Sequence, residues 1–119
     1  MRHTSKGCRV LIIEDYRDVA ESLRDLLSLV GHEVKVAFDG VSGVEAAREW
    51  GPDVVLCDIR LPRLDGFGVA SALRSGKARL VAITAHGDKE TRQLAEESGF
   101  EQLLVKPADP DHVIELLDQ

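Results

Sequence analysis

The chain alternates short runs of consecutive apolar residues with longer stretches in which apolar residues return every three or four positions. The short runs are rich in β-branched residues and predict strands: Val10-Leu11-Ile12-Ile13, Val34-Lys35-Val36-Ala37, Val54-Val55-Leu56-Cys57, Leu80-Val81-Ala82-Ile83 and Leu103-Leu104-Val105. The first, third and fourth are almost wholly apolar, as strands covered by helices on both faces must be, so they are expected at the centre of a parallel sheet. Between the first two runs, Tyr16, Val19, Ala20, Leu23, Leu26, Leu27 and Val30 form one apolar helical stripe, which Gly31 suits as a C-terminal cap. Weaker helical patterns run from Gly43 to Glu49, Gly66 to Arg74, Lys89 to Glu97 and Pro110 to Leu117. Gly51-Pro52, Gly76 and Gly99 stop three of them, Asp88 and Asp109 suit N-caps, and Pro110 suits a first helical position, where a missing N–H costs nothing. Five βα units in succession predict an α/β single domain, a (βα)5 doubly wound parallel sheet, spanning residues 9–119 behind a polar N-terminal extension of residues 1–8.

Ligands of such sheets bind beyond the C-terminal ends of the strands, so the residues that end each run carry the functional information. Glu14 and Asp15 follow the first run, Asp58 the third, Thr84 ends the fourth, and Lys106-Pro107 follows the fifth. Taken singly, each has an ordinary structural reading: an acidic pair capping a helix, a turn aspartate, a strand-end hydroxyl, a solvated lysine. Their conjunction at four strand ends points instead to one site. Carboxylates this close resist full ionisation unless a cation sits among them, and hard oxygen ligands suit Mg²⁺. Three carboxylates, one lysine and one divalent cation sum to about zero charge, which leaves the site tolerant of an incoming phosphoryl group. Asp58 is the best nucleophile candidate, because it ends a central strand and is followed by the loop Ile59–Gly66, shaped by Pro62 and Gly66. An ionised aspartate needs no separate base, and Lys106 and the Thr84 hydroxyl are suited to the equatorial phosphoryl oxygens.

Composition narrows the field further. With 119 residues the chain is about one domain, so any effector is expected to be another molecule. Lys and Arg number 15 against 21 Asp and Glu, a formal charge of −6, so there is no basic excess for direct contact with nucleic acid. No apolar stretch approaches the roughly 20 residues that cross a bilayer, and the residues from Met1 to Gly7 lack an apolar signal core, so a soluble, cytoplasmic protein is expected. Cys8 and Cys57 lack metal-ligand spacing and are read as reduced thiols, Cys57 as core filling. His86 is read first as a solvated loop residue and Arg60 as a surface charge. Both would border the mouth of the site and influence the access of water to a phosphorylated Asp58. Trp50 and Phe100 are read as helix-end packing.

From Arg9 to Leu117 the chain resembles the receiver domain of two-component response regulators. Four motifs agree in order and spacing: the first apolar run with Glu14-Asp15, Asp58-x-x-x-Pro62-x-x-Asp65-Gly66, Ile83-Thr84-Ala85, and Val105-Lys106-Pro107. The resemblance implies a flavodoxin-like fold with strand order 2-1-3-4-5 and a cis bond between Lys106 and Pro107. It implies that Asp58 is the phosphoacceptor, that Asp15, Asp58 and the Arg60 carbonyl bind Mg²⁺ directly, and that Glu14 acts on it mostly through water. Thr84 and Lys106 would contact the phosphoryl oxygens. The implied partners are a histidine kinase or histidine phosphotransfer protein as donor and a downstream effector protein, with homodimerisation through the fourth helix, fifth strand and fifth helix common in the family. Such a domain catalyses its own phosphorylation and dephosphorylation and is not a conventional multiple-turnover enzyme. The texture from Ile83 to Pro107 resembles receivers attached to hybrid kinases. One position departs from the pattern: Leu103 stands where receivers often carry a Tyr or Phe that moves with the switch. Among rivals, a flavodoxin-like electron carrier would have its FMN phosphate repelled by Glu14-Asp15. A haloacid-dehalogenase-type phosphatase needs an acid at position 17, which is Arg. A receiver-shaped docking scaffold without regulated phosphorylation stays open.

Overall fold

The computed structural model describes residues 7–119; residues 1–6 of the expected N-terminal extension lie outside the described residues. Five strands and five helices alternate: β1 (Arg9–Ile13), α1 (Arg17–Leu29), β2 (Glu33–Ala37), α2 (Gly40–Trp50), β3 (Val54–Asp58), α3 (Gly66–Leu73), β4 (Arg79–Thr84), α4 (Lys89–Ser98), β5 (Gln102–Val105) and α5 (Pro110–Leu117). All pairings are parallel and the sheet order is β2-β1-β3-β4-β5, the flavodoxin-like order. β1, β3 and β4 lie inside the sheet, and their apolar runs face cores on both sides. Leu11, Ile13, Val55, Cys57 and Ala82 pack towards one cluster with Val44, Val69 and Phe100. Val10, Ile12, Leu56, Val81 and Ile83 pack towards the other with Leu27, Val113 and Leu116.

Local chemistry sets the helix ends. Asp39, Asp65, Asp88 and Asp109 each accept a backbone N–H in the first turn of α2, α3, α4 and α5. Gly31 and Gly99 take positive φ just past α1 and α4. In each case the paired bonds of a Schellman closure follow, Gly31 N–H to Ser28 O with His32 N–H to Leu27 O, and Gly99 N–H to Glu96 O with Phe100 N–H to Ala95 O.

Two expectations are revised. The second helix starts at Gly40, a turn before Gly43, because Asp39 caps it through Ser42 N–H at 2.8 Å. The stripe on α1 is only partly covered: Ala20 and Leu27 are buried, whereas Tyr16, Val19 and Val30 are exposed. A cleft of about 690 Å³, lined by Val19, Leu23, Leu26, Leu56 and Pro107 among others, separates that face from the start of α5. Among the described residues, no helix is long and apolar enough to cross a membrane.

Candidate functional site

The parallel register brings four strand ends together at one edge of the sheet. Glu14 and Asp15 follow β1, Asp58 closes β3, Thr84 closes β4 and Lys106 follows β5. Ile13 pairs with Cys57, Asp58 with Ile83, and Thr84 with Val105, so the polar residues emerge at nearly the same level. Glu14, Asp58 and Thr84 are buried, deeper than the open crevice that sequence position suggests, while Asp15 is exposed at the rim.

Lys106 holds the centre. Its Nζ donates to Glu14 Oε1 at 2.7 Å and to Asp58 Oδ2 at 3.0 Å, and its backbone N–H donates to Thr84 O at 2.8 Å. The Lys106–Pro107 bond is cis. The remaining carboxylate oxygens are held by backbone donors: Tyr16 N–H to Glu14 Oε2 at 3.0 Å and Arg60 N–H to Asp58 Oδ1 at 3.2 Å. Thr84 Oγ1 accepts the His86 N–H at 3.2 Å, which orients the hydroxyl at the end of β4.

The electrostatics follow from this packing. Burial holds the Glu14 carboxyl above its ordinary pKa; hydrogen bonds from Lys106 and the Tyr16 amide oppose the shift, and the Asp58 charge adds to it. Partial burial works against the Lys106 ammonium, but the carboxylates of Glu14 and Asp58 outweigh it and raise its pKa. One ammonium is set against three carboxylates whose ligand oxygens lie within 4.8 Å of one another. Such a set of hard oxygens, negative in excess and open on one side, fits Mg²⁺, which keeps part of its water shell. Beside the site lies a crevice of about 740 Å³ whose lining includes Asp15, Arg60, Thr84 and His86, while Glu14, Asp58 and Lys106 line the cleft beside α1. Arg60 and His86 are both exposed on the crevice.

The other singled-out residues lie elsewhere. Cys57 is buried beneath the site with its Sγ–H donating to Asp58 O at 3.2 Å, and burial pushes its thiol pKa far up, which makes it core filling and no nucleophile. Trp50 closes α2 with Arg9 and Lys35 over its ring, and Phe100 is buried after α4. Leu103 is half-buried against the core and lines a groove between α4 and β5. Arg17 stacks over Phe38, with its guanidinium carbon 4.1 Å from the ring centroid. Sequence reasoning missed the contact between the start of α2 and the loop after β3, where Gly40 N–H donates to Pro62 O at 3.3 Å. The apolar pattern starts this helix at Gly43 and so passes over the Asp39-x-x-Ser42 cap in front of it.

Comparison with known proteins places the family and the fold. The response regulator receiver domain family matches residues 10–118. The transcriptional regulatory protein PrrA of Mycobacterium leprae is 38% identical over 101 residues, 83% of this chain and 43% of that protein, so the chain spans less than half the length of this curated relative. The signal receiver domain of the putative response regulator NarL from Mycobacterium tuberculosis superposes with a TM-score of 0.85 at 29% identity, covering 96% of this chain and 98% of that one. The receiver domain of a sensor histidine kinase from Pseudomonas aeruginosa, with a magnesium ion coordinated in its active-site cleft, gives a TM-score of 0.85 at 26% identity, covering 94% and 95%.

Proposed function

The chain belongs to the response regulator receiver domain family of two-component signalling, and on that premise we propose that Asp58 is its phosphoacceptor in a Mg²⁺-dependent transfer from a phosphohistidine donor. The observation that carries this reading is the Lys106 ammonium bonded to both Glu14 and Asp58. It holds the Asp58 carboxylate in place, with Thr84 at the end of the neighbouring strand. Glu14, Asp15, Asp58 and the Arg60 backbone carbonyl would hold the metal, Glu14 through water. Bound there, Mg²⁺ would supply Lewis-acid stabilisation of the phosphoryl oxygens.

In the transfer, an Asp58 carboxylate oxygen forms the new P–O bond as the donor's P–N bond breaks. The electron pair stays on the departing imidazole, which takes a proton from solvent. Lys106 moves its hydrogen bond from the carboxylate to a phosphoryl oxygen, and the Thr84 hydroxyl meets another. In hydrolysis a water oxygen bonds to phosphorus as the Asp58 O–P bond breaks, which restores the carboxylate and releases inorganic phosphate, the water's proton going to solvent; Arg60 and His86 border the adjoining crevice. The donor is a histidine kinase or histidine phosphotransfer protein in the cytoplasm, and the output is altered binding of an effector protein. Leu103 stands in place of an aromatic ring, so the output is read from an α4–β5–α5 face lacking that ring, through shifts of the loop after Thr84 and of α4.

Acetyl phosphate with Mg²⁺ followed by intact mass measurement tests this reading. A gain of one phosphoryl group, absent in Asp58→Asn and after chelation, is the expected result. Retention of the gain in Asp58→Asn would reassign the acceptor, and no gain from acetyl phosphate or a phosphohistidine donor would leave a docking scaffold.

A further inference from the structure

The loop between β3 and α3 is fastened at two places. At its base Gly66 N–H donates to Ile59 O at 2.7 Å, and a Cβ on Gly66 would stand 2.5 Å from Asp58 O. At its crest the fastening lies outside the loop, on the first residue of α2. Gly40 N–H reaches Pro62 O, and a Cβ on Gly40 would stand 1.8 Å from Leu64 O, a backbone atom that cannot swing aside. The two segments touch backbone to backbone, which glycine alone allows. Arg63 completes the crest with a left-handed φ of 71°, and its guanidinium lies 3.4 Å from Asp39 Oδ2, on the residue that caps α2. Between base and crest sits Arg60, whose N–H donates to Asp58 Oδ1.

We propose that Gly40 is a positioning residue for the metal site: it sets how deeply the β3–α3 loop seats, and thereby where the Arg60 backbone stands against Asp58. The proposal rests on the Mg²⁺ reading above and assigns its precision to a residue on a different βα unit. A side chain at position 40 lifts the crest by the thickness of a methyl group. The Arg60 peptide then moves with it, because the base at Gly66 acts as the pivot. Gly43, one turn further along α2, is a glycine for a different reason. A Cβ there would stand 2.4 Å from Ile13 Cδ1, inside the core and away from the loop.

The test is Mg²⁺ titration by calorimetry on the unphosphorylated protein, with thermal unfolding in parallel. Gly40→Ala is expected to raise the Mg²⁺ Kd by about tenfold or more, the usual consequence of disturbing residues that orient metal ligands, whereas Gly43→Ala loses thermal stability and keeps its Kd within about twofold. A second pair avoids helix and core. Arg63→Gly and Arg63→Val remove the same charge from an exposed site, but glycine accepts the left-handed crest and valine does not. The Kd should therefore rise in Arg63→Val and not in Arg63→Gly. Parent-like Mg²⁺ affinity in Gly40→Ala, or equal losses in the two members of either pair, overturns the positioning role alone. Failure of the parent protein itself to bind Mg²⁺ overturns the metal reading and the positioning role with it.

Discussion

Lys106 brings one positive charge to three carboxylates, so at the scale of single residues the site is under-neutralised before any cation arrives. A divalent cation that binds only the folded form must then stabilise it by mass action, by about 2.7 kcal/mol at a hundred times the dissociation constant. Thermal unfolding of the parent should shift upward with Mg²⁺ and return with EDTA. In Asp58→Asn, which removes a ligand charge while keeping the shape, the shift should shrink. An equal shift in the variant would place the cation elsewhere. Arg60 and His86 make a second residue-scale case, since both stand exposed on the crevice that Asp15 and Thr84 also line, next to the proposed acceptor Asp58. Arg60→Ala and His86→Ala should alter the lifetime of the phosphorylated form, followed by the loss of its mass gain; unchanged lifetimes in both would end that role. The site residues were legible because each is polar where an apolar run stops. Their depth was not, because burial of Glu14 and Thr84 depends on the neighbouring strands and on Lys106 crossing from β5.

At the scale of elements, aspartates fix where helices begin, and their ionisation makes that control depend on pH. Hydrogen bonding from the Ser42 backbone holds Asp39 below its ordinary pKa of 3.8, and bonds from the Thr91 hydroxyl and then its amide do the same for Asp88. A carboxylate whose pKa is depressed in the folded state stabilises fully above its unfolded value and loses that contribution as pH falls through the folded value. The melting temperature of Asp88→Ala should lie below the parent's by a constant amount at about pH 5 to 7, and the gap should narrow as pH drops under about 4. A gap that persisted undiminished into acid would mean the cap acts without its charge. Asp88 and Asp109 were readable as caps because helical periodicity follows them directly. Asp39 was not, because Gly40 and Gly43 dilute the pattern, and both glycines are there for tertiary reasons, the loop crest and Ile13. The α1 stripe shows the converse limit. Periodicity identifies an apolar face, but how much of it is covered depends on the partner, and α5 has 8 residues against the 13 of α1.

At the scale of the whole molecule, the sheet divides the interior into two cores that differ in how well they are sealed. The parallel α/β class was legible from five alternations of period; the order β2-β1-β3-β4-β5 was not, because an apolar run reports burial of its faces and is silent about its neighbours. The family resemblance supplied the order. The difference between the cores was equally hidden, since Leu11 and Leu56 occupy equivalent places in two central strands, one register step apart. Leu11 is enclosed on the side of α2, α3 and α4. Leu56 faces the side of α1 and α5 and lines the cleft of about 690 Å³ between them. Truncating a buried leucine to alanine costs about 2–5 kcal/mol, and the spread reflects the void that remains. In Leu11→Ala the void is closed on all sides and the loss should fall in the upper part of that range. In Leu56→Ala the lost volume joins an existing cleft where water enters and α1 shifts, so the loss should fall in the lower part. Urea unfolding of the two variants decides between this asymmetry and a uniform interior. Equal losses, or a greater loss for Leu56→Ala, would mean that the α1 side is as tightly sealed as the other and that the exposure of Val19 and Tyr16 does not reach the core.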